Sequence, residues 1–233
     1  MNFIIKNIPN SITCLNLASG IMASICALQG EAAMWGLHGY EWCWIFIGIA
    51  AVADFCDGFA ARLLHAYSSL GKELDSLCDL VSFGVAPALL MFATMRDAGA
   101  QPWTQWLVFV IAICGALRLA RFNIDTRQTT SFIGLPIPAN AIFWIGYSSL
   151  AFGGAQFLTQ WYVFLPVILL ESWLMISPVK FFSLKFKTYG WKGNAFRWLL
   201  VITTVVLVAC AGVSGFLWTI VAYMLYSVCD YKK

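Results

Sequence analysis

The chain has 233 residues, of which 61% are hydrophobic and only 11% charged, against about 25% charged in an ordinary soluble domain. With a mean hydropathy of +0.79 it belongs in a bilayer, which excludes a soluble fold. The net charge of +3 is too small to suggest nucleic acid, and the eight cysteines form no Cys-x-x-Cys pair, which argues against a zinc site or a disulfide framework.

Apolar runs predict about eight transmembrane helices, near 12–28, 43–62, 77–95, 104–120, 139–153, 161–178, 196–211 and 215–229. The expected fold class is therefore all-α, a polytopic integral membrane helix bundle. Before the first run stand Lys6, Pro9, Asn10, Ser11 and Thr13, with no small-x-small cleavage site after it, so a retained span is expected. Asn10 or Ser11 is expected to cap its start. Asn16 and Gly20 suit close helix packing. The 29–42 loop that follows is acidic and aromatic and carries no basic residue.

The second span ends, and the third begins, in a polar stretch within apolar sequence. It holds Asp54, Asp57, Gly58, Ala61 and Arg62, then Gly71, Asp75 and Asp79. A carboxylate inside a membrane costs about 2.5–3.5 kcal/mol, so four together need a partner. One arginine cannot neutralise them; one or two divalent cations can. At about 100° per residue, Asp54, Asp57, Gly58 and Ala61 share one side of a helix, and Asp75 and Asp79 share one side of the next. An antiparallel pair would make both sets converge. The small Gly58 and Ala61 leave room on that face, and Arg62 can offer a planar fork to phosphate oxygens.

Arg118 and Arg121 lie three apart on the fourth predicted helix, so both can reach the aspartates' cleft and grip a carboxylate or phosphate. Arg127 is equally consistent with a headgroup contact. Pro136 and Pro138 break the chain before the fifth span. After the sixth, Ser177, Lys180, Ser183 and Lys185 read either as a basic anchor on an anionic leaflet or as a polar wall for an acceptor alcohol. Gly212–Gly215 reads as a tight turn between the last two helices. With both termini in the cytoplasm, the inner segments hold every one of the 14 basic residues except Arg96. That bias sets the orientation and puts the acidic cluster at the cytoplasmic end of its helices.

The pattern Asp-x-x-Asp-Gly-x-x-Ala-Arg-x8-Gly-x-x-x-Asp-x-x-x-Asp over residues 54–79 resembles the signature of the CDP-alcohol phosphatidyltransferase family, with every fixed position filled. The runs Arg118-Leu-Ala-Arg121-Phe-Asn123, Gly134-Leu-Pro-Ile-Pro138-Ala and Met175-Ile-Ser177 with Ser183-Leu-Lys185 resemble its phosphatidylserine synthase branch. The resemblance covers roughly residues 5–187. It implies a catalytic core over 1–187 followed by a helix pair over 188–233.

By that resemblance, an alcohol attacks the diacylglycerol-bearing phosphorus of CDP-diacylglycerol and CMP leaves. For this branch the acceptor is L-serine and the product phosphatidylserine. Asp54, Asp57, Asp75 and Asp79 would hold Mg2+ or Mn2+, with two ions expected, since hard oxygen ligands favour these over zinc. Asp79 would also be the general base. Asn10, Thr13, Gly58, Ala61, Arg62 and Gly71 would lie against the nucleotide and its phosphates. Arg118, Arg121, Ser177, Lys180, Ser183 and Lys185 would line the acceptor side. The implied protein is a homodimer in the cell (inner) membrane, among membrane lipids, with its active site facing the cytoplasm. Two other readings stay open. Glycerol 3-phosphate or inositol phosphate would need additional cations, which Arg118, Arg121, Lys180 and Lys185 can supply. A cation transporter would use the aspartates as an ion path, although no internal repeat accompanies them.

Overall fold

The structure, a computed structural model, describes residues 3–125, 131–184, 190–191 and 193–231. Eight long helices follow one another among these residues. They are α1 (Phe3–Gln29), α2 (Gly39–Leu63), α3 (Ser69–Asp97), α4 (Pro102–Ile124), α5 (Ile137–Phe152), α6 (Trp161–Ile176), α7 (Ala195–Ala211) and α8 (Gly215–Tyr231). The protein is an all-α integral membrane bundle. Long apolar windows fall in α1 to α4 and in the α7–α8 segment, and α6 is a shorter apolar helix.

Among the described residues two small antiparallel sheets interrupt the helices. One pairs β1 (Ala33–Met34) with β2 (Leu37–His38) in the α1–α2 connection. The other pairs β3 (Ser131–Ile133), after α4, with β4 (Lys180–Phe182), after α6; Phe132 faces Phe181 and Ile133 faces Lys180. Periodicity did not foretell either, because strands of two or three residues are too short to show alternation.

α1 lies along α2 and also touches α3. Small buried residues make that closeness possible: Ala23, Cys26 and Ala27 on α1 meet a cluster containing Cys43, Ile47 and Ala50 of α2. A second, aromatic cluster joins α3, α4, α5, α6, β4 and α8 around Met91, Ile111, Trp144, Phe164, Phe181 and Tyr223. The α7–α8 pair is an antiparallel hairpin. Gly212 turns it with a φ of +59°, and Thr203 and Tyr226 hydroxyls meet across it at 3.1 Å.

One expectation fails at the start of α1. Asn10 and Ser11 do not cap the helix, because it already begins at Phe3 and runs through Pro9. Pro9 removes one backbone donor, but hydroxyls then turn back onto the ladder. Ser11 Oγ donates to the Asn7 carbonyl at 3.1 Å and Thr13 Oγ1 to the Pro9 carbonyl at 3.0 Å. Asn10 and Thr13 are thereby lifted onto a helical face beside the acidic stretch.

α3 carries the other departure from regularity. Its cap is Ser68, whose hydroxyl accepts from Gly71 N at 2.9 Å. Immediately after Asp79 the helix widens into a π segment, Leu80–Val85, before resuming at Ala86. π turns of this kind concentrate at functional sites because they re-aim one face of a helix. Here Ser82 Oγ donates to the Asn16 carbonyl at 3.0 Å, and Gly20 packs so tightly on Ser82 that a Cβ there would lie 2.8 Å from Ser82 Cα.

Candidate active site

α2 delivers Asp54 and Asp57 one turn apart, and α3 delivers Asp75 from the opposite side. One carboxylate oxygen from each lies within 4.8 Å of the other two. Asp57 is only 5% exposed, and its Oδ2, like Asp75 Oδ1, is buried without a hydrogen-bond partner among the described residues. Arg62 is exposed at the end of α2 and does not neutralise them. Unpaired buried carboxylate oxygens are costly, and three converging hard oxygens are the donor set that Mg2+ or Mn2+ takes. The residues therefore fit a divalent cation.

Asp79 stands next to this trio rather than in it. It is buried, and its Oδ1 accepts from Asn16 Nδ2 of α1 at 3.1 Å. Asn16, which sequence reasoning assigned to packing, is thus a polar partner of the candidate base; its identity alone carried no such signal. Thr13 lies beside Asp57. Asn10 Oδ1 faces Gly71, where a Cβ would approach to 3.0 Å. Gly71 lies in the first turn of α3, where its small size admits Asn10. Gly58 has open space where a Cβ would sit, with half-buried Ala61 one turn along.

Across from the acids, Arg118 and Arg121 of α4 line one cavity of about 550 Å³ together with Ile124, Asp125, Ile133 and Met175–Pro178. Arg118 is 6% exposed, stacked 4.9 Å from Phe122 and 5.8 Å from Phe132, with its Nε unpartnered. It is close enough to Asp79 for their charges to interact, so one lining arginine is within electrostatic reach of the acidic centre. Arg121 Nη1 donates to the Ile176 carbonyl at 2.7 Å. α3 is tied to α4 directly: Lys72 Nζ reaches the Asn123 carbonyl at 2.8 Å and Asn123 Nδ2 reaches Ser76 Oγ at 2.9 Å.

Of the other expected acceptor-side residues, Ser177 lines the cavity, but its hydroxyl donates to the Leu174 carbonyl at 2.9 Å. Lys180 is exposed on β4 and Ser183 follows it; neither belongs to the lining. Lys185 and Arg127 lie outside the described residues. Gly134 shapes the far wall. Its φ is +81°, its N–H donates to the Val179 carbonyl at 2.8 Å, and a Cβ would collide with the Met175 carbonyl. Glu171, one turn before Met175 on α6, is 2% exposed with Oε2 unpartnered. Sequence reasoning passed over it, although a lone acid within an apolar run is the signal that would have found it.

Fold and site together define a polytopic membrane protein with an acidic, oxygen-ligand centre between two antiparallel helices, facing an arginine-lined cavity. A family model for CDP-alcohol phosphatidyltransferase matches residues 6–181. The chain belongs to the CDP-alcohol phosphatidyltransferase family. Curated relatives include a CDP-diacylglycerol–serine O-phosphatidyltransferase of Mycobacterium leprae, 36% identical over 183 residues, which is 74% of this chain and 57% of the relative. Proteins of the same name from Bacillus subtilis and Helicobacter pylori are each 34% identical. The first match covers 75% of this chain and 89% of the relative; the second covers 86% and 81%. The chain thus spans little more than half the length of the mycobacterial relatives it matches.

Proposed function

We propose that this protein transfers the phosphatidyl group of CDP-diacylglycerol to L-serine, giving phosphatidylserine and CMP. The observation that carries the reading is the meeting of Asp54, Asp57 and Asp75 beside Asp79, next to a cavity that presents Arg118 and Arg121. The names of the relatives support the choice of serine.

Asp54, Asp57 and Asp75, with Asp79 sharing, would hold one or two Mg2+ or Mn2+ ions. When bound, these would supply neutralising charge to the diphosphate and to departing CMP. The chain's own groups do the rest. Asp79 takes the proton of the serine hydroxyl as its oxygen bonds to the diacylglycerol-bearing phosphorus and the bond from that phosphorus to the CMP oxygen breaks. Asn16 holds Asp79 in position from α1. Arg118 and Arg121 receive the serine carboxylate, with Ser177 completing the wall. Asn10, Thr13, Gly58, Ala61, Arg62 and Gly71 line the nucleotide side, where Gly58 leaves space for a ligand. Lys180, Ser183 and Lys185 belong to the acceptor-side approach. Residues 1–187 form the catalytic core and 188–233 the C-terminal transmembrane helix pair.

The positive-inside bias puts the acidic centre at the cytoplasmic face of the cell membrane, with both termini in the cytoplasm, and family resemblance suggests a homodimer. The test is CMP release by the purified protein with CDP-diacylglycerol and a panel of alcohols. Release with serine is expected. Two cations in one cavity also suit a phosphorylated alcohol, and release with glycerol 3-phosphate but not serine overturns the choice of acceptor.

A further inference from the structure

The family model ends at residue 181, before α7 and α8 begin. Yet the hairpin grips, at two backbone points, the segment that follows the wall of the arginine-lined cavity. Tyr223 Oη of α8 is buried and donates to the Phe182 carbonyl at 2.8 Å. Arg197 Nε of α7 donates to the Ser183 carbonyl at 2.7 Å, and its guanidinium lies 5.9 Å from the Phe182 ring. Tyr223 also packs on Phe181 and Phe182, with ring centroids 5.6 and 5.0 Å away.

The gripped segment is β4. It follows Ser177 and Pro178 of the cavity lining and pairs with β3, whose Ile133 is also lining and whose Phe132 stacks on Arg118. A continuous path of contacts therefore leads from the hairpin through two short strands to the guanidinium. Strands of three residues cannot hold their own place in a bundle; they need external anchors. The two carbonyls at the end of β4 are where this strand would otherwise loosen.

We infer that Tyr223 and Arg197 are positioning residues for acceptor binding: the C-terminal hairpin holds β4, and through β3 holds Arg118, at the spacing the acceptor alcohol requires. This rests on the proposed transfer to serine. It assigns to the last two helices a role in the acceptor's affinity and none in that of the nucleotide lipid, because the contacts of both residues with the core run to Phe181, Phe182 and Ser183 on the acceptor side.

The test measures apparent KM for serine and for CDP-diacylglycerol in the full-length protein, quantities that do not depend on how much of a preparation is active. Tyr223→Phe deletes the donor and keeps the ring; Arg197→Lys keeps the charge and loses the Nε donor. Each is expected to raise the serine KM about fivefold and to leave the lipid KM within about twofold, since a single neutral acceptor bond is lost. Thr203→Val, which cuts the link between the hairpin's own helices, is the control and is expected to change neither constant. Serine and lipid constants that move together, or a fall in kcat with both constants unchanged, overturn the inference. So does loss of all transfer in Tyr223→Phe while Arg197→Lys keeps both constants. No phosphatidylserine from the unaltered protein overturns the function reading itself and this inference with it.

Discussion

Carboxylates stand at both ends of α3, and the fold treats them in opposite ways. Asp75 and Asp97 are 22 residues apart on one helix, about 33 Å and so about one hydrocarbon thickness. Asp97 is spent on structure. Its Oδ1 accepts from Arg96 Nε at 2.7 Å, its Oδ2 from Glu31 N at 3.2 Å, and Arg96 Nη1 closes on the Leu28 carbonyl at 3.2 Å. This acid knits the end of α1 to the end of α3. At the other end, Asp57 Oδ2 and Asp75 Oδ1 are buried with nothing to accept from among the described residues, although Arg62 is nearby in sequence. An acid that the fold satisfies holds the fold together; acids that the fold converges and leaves unsatisfied are reserved for a ligand.

Exchanging carboxylate for amide tests that contrast. The largest effect is expected for Asp57→Asn, which should lose both the response to metal and the turnover that depends on it. Divalent salt should stabilise the unaltered protein in detergent by about 2.7 kcal/mol when its concentration is a hundredfold above the dissociation constant. Chelator should remove the gain, and thermal unfolding of Asp57→Asn should not respond to either. A full metal-dependent shift in that variant breaks the contrast. Asp79→Asn comes next: it should keep binding CDP-diacylglycerol but lose about 10²–10⁴ in turnover, read as CMP release. Near-normal turnover removes Asp79 as the base.

Arg118→Ala should raise the serine KM by about 1.5–3 kcal/mol equivalent, the range for a hydrogen bond to a charged group, with a smaller change for the lipid. An unchanged serine dependence takes Arg118 out of the acceptor cavity. The smallest effect belongs to Asp97→Asn, about 0–1 kcal/mol of stability for a partly exposed ion pair, with metal response and turnover intact. A strong loss of turnover there would erase the distinction between the two ends.

Much of this was legible in the chain. Four aspartates in apolar sequence have few physical solutions, and helical spacing alone puts Asp54 and Asp57 on one face. The pairing of Arg118 with Arg121 was legible for the same reason, and both line one cavity. Lys180 and Ser183 were less legible. Their polarity suggested a cavity wall, whereas the structure puts Lys180 on β4 and Ser183 just after it, outside the residues that line the cavity, and residues far along the chain take hold of that segment. The start of α1 was misplaced because the capping signals Asn10 and Ser11 are also good partners for a helix that continues through proline.

Apolar run lengths, the distribution of basic residues and the spacing of the acids are properties of a one-dimensional string, and they determined a membrane bundle with one acidic centre. Three things were decided only in three dimensions: that Asn16 of α1 meets Asp79, that α3 widens just past it, and that α7 and α8 brace the β3–β4 sheet next to the arginine-lined cavity. Each depends on which helices become neighbours. A side chain's partner across 63 residues, as for Asn16 and Asp79, leaves no trace in local periodicity.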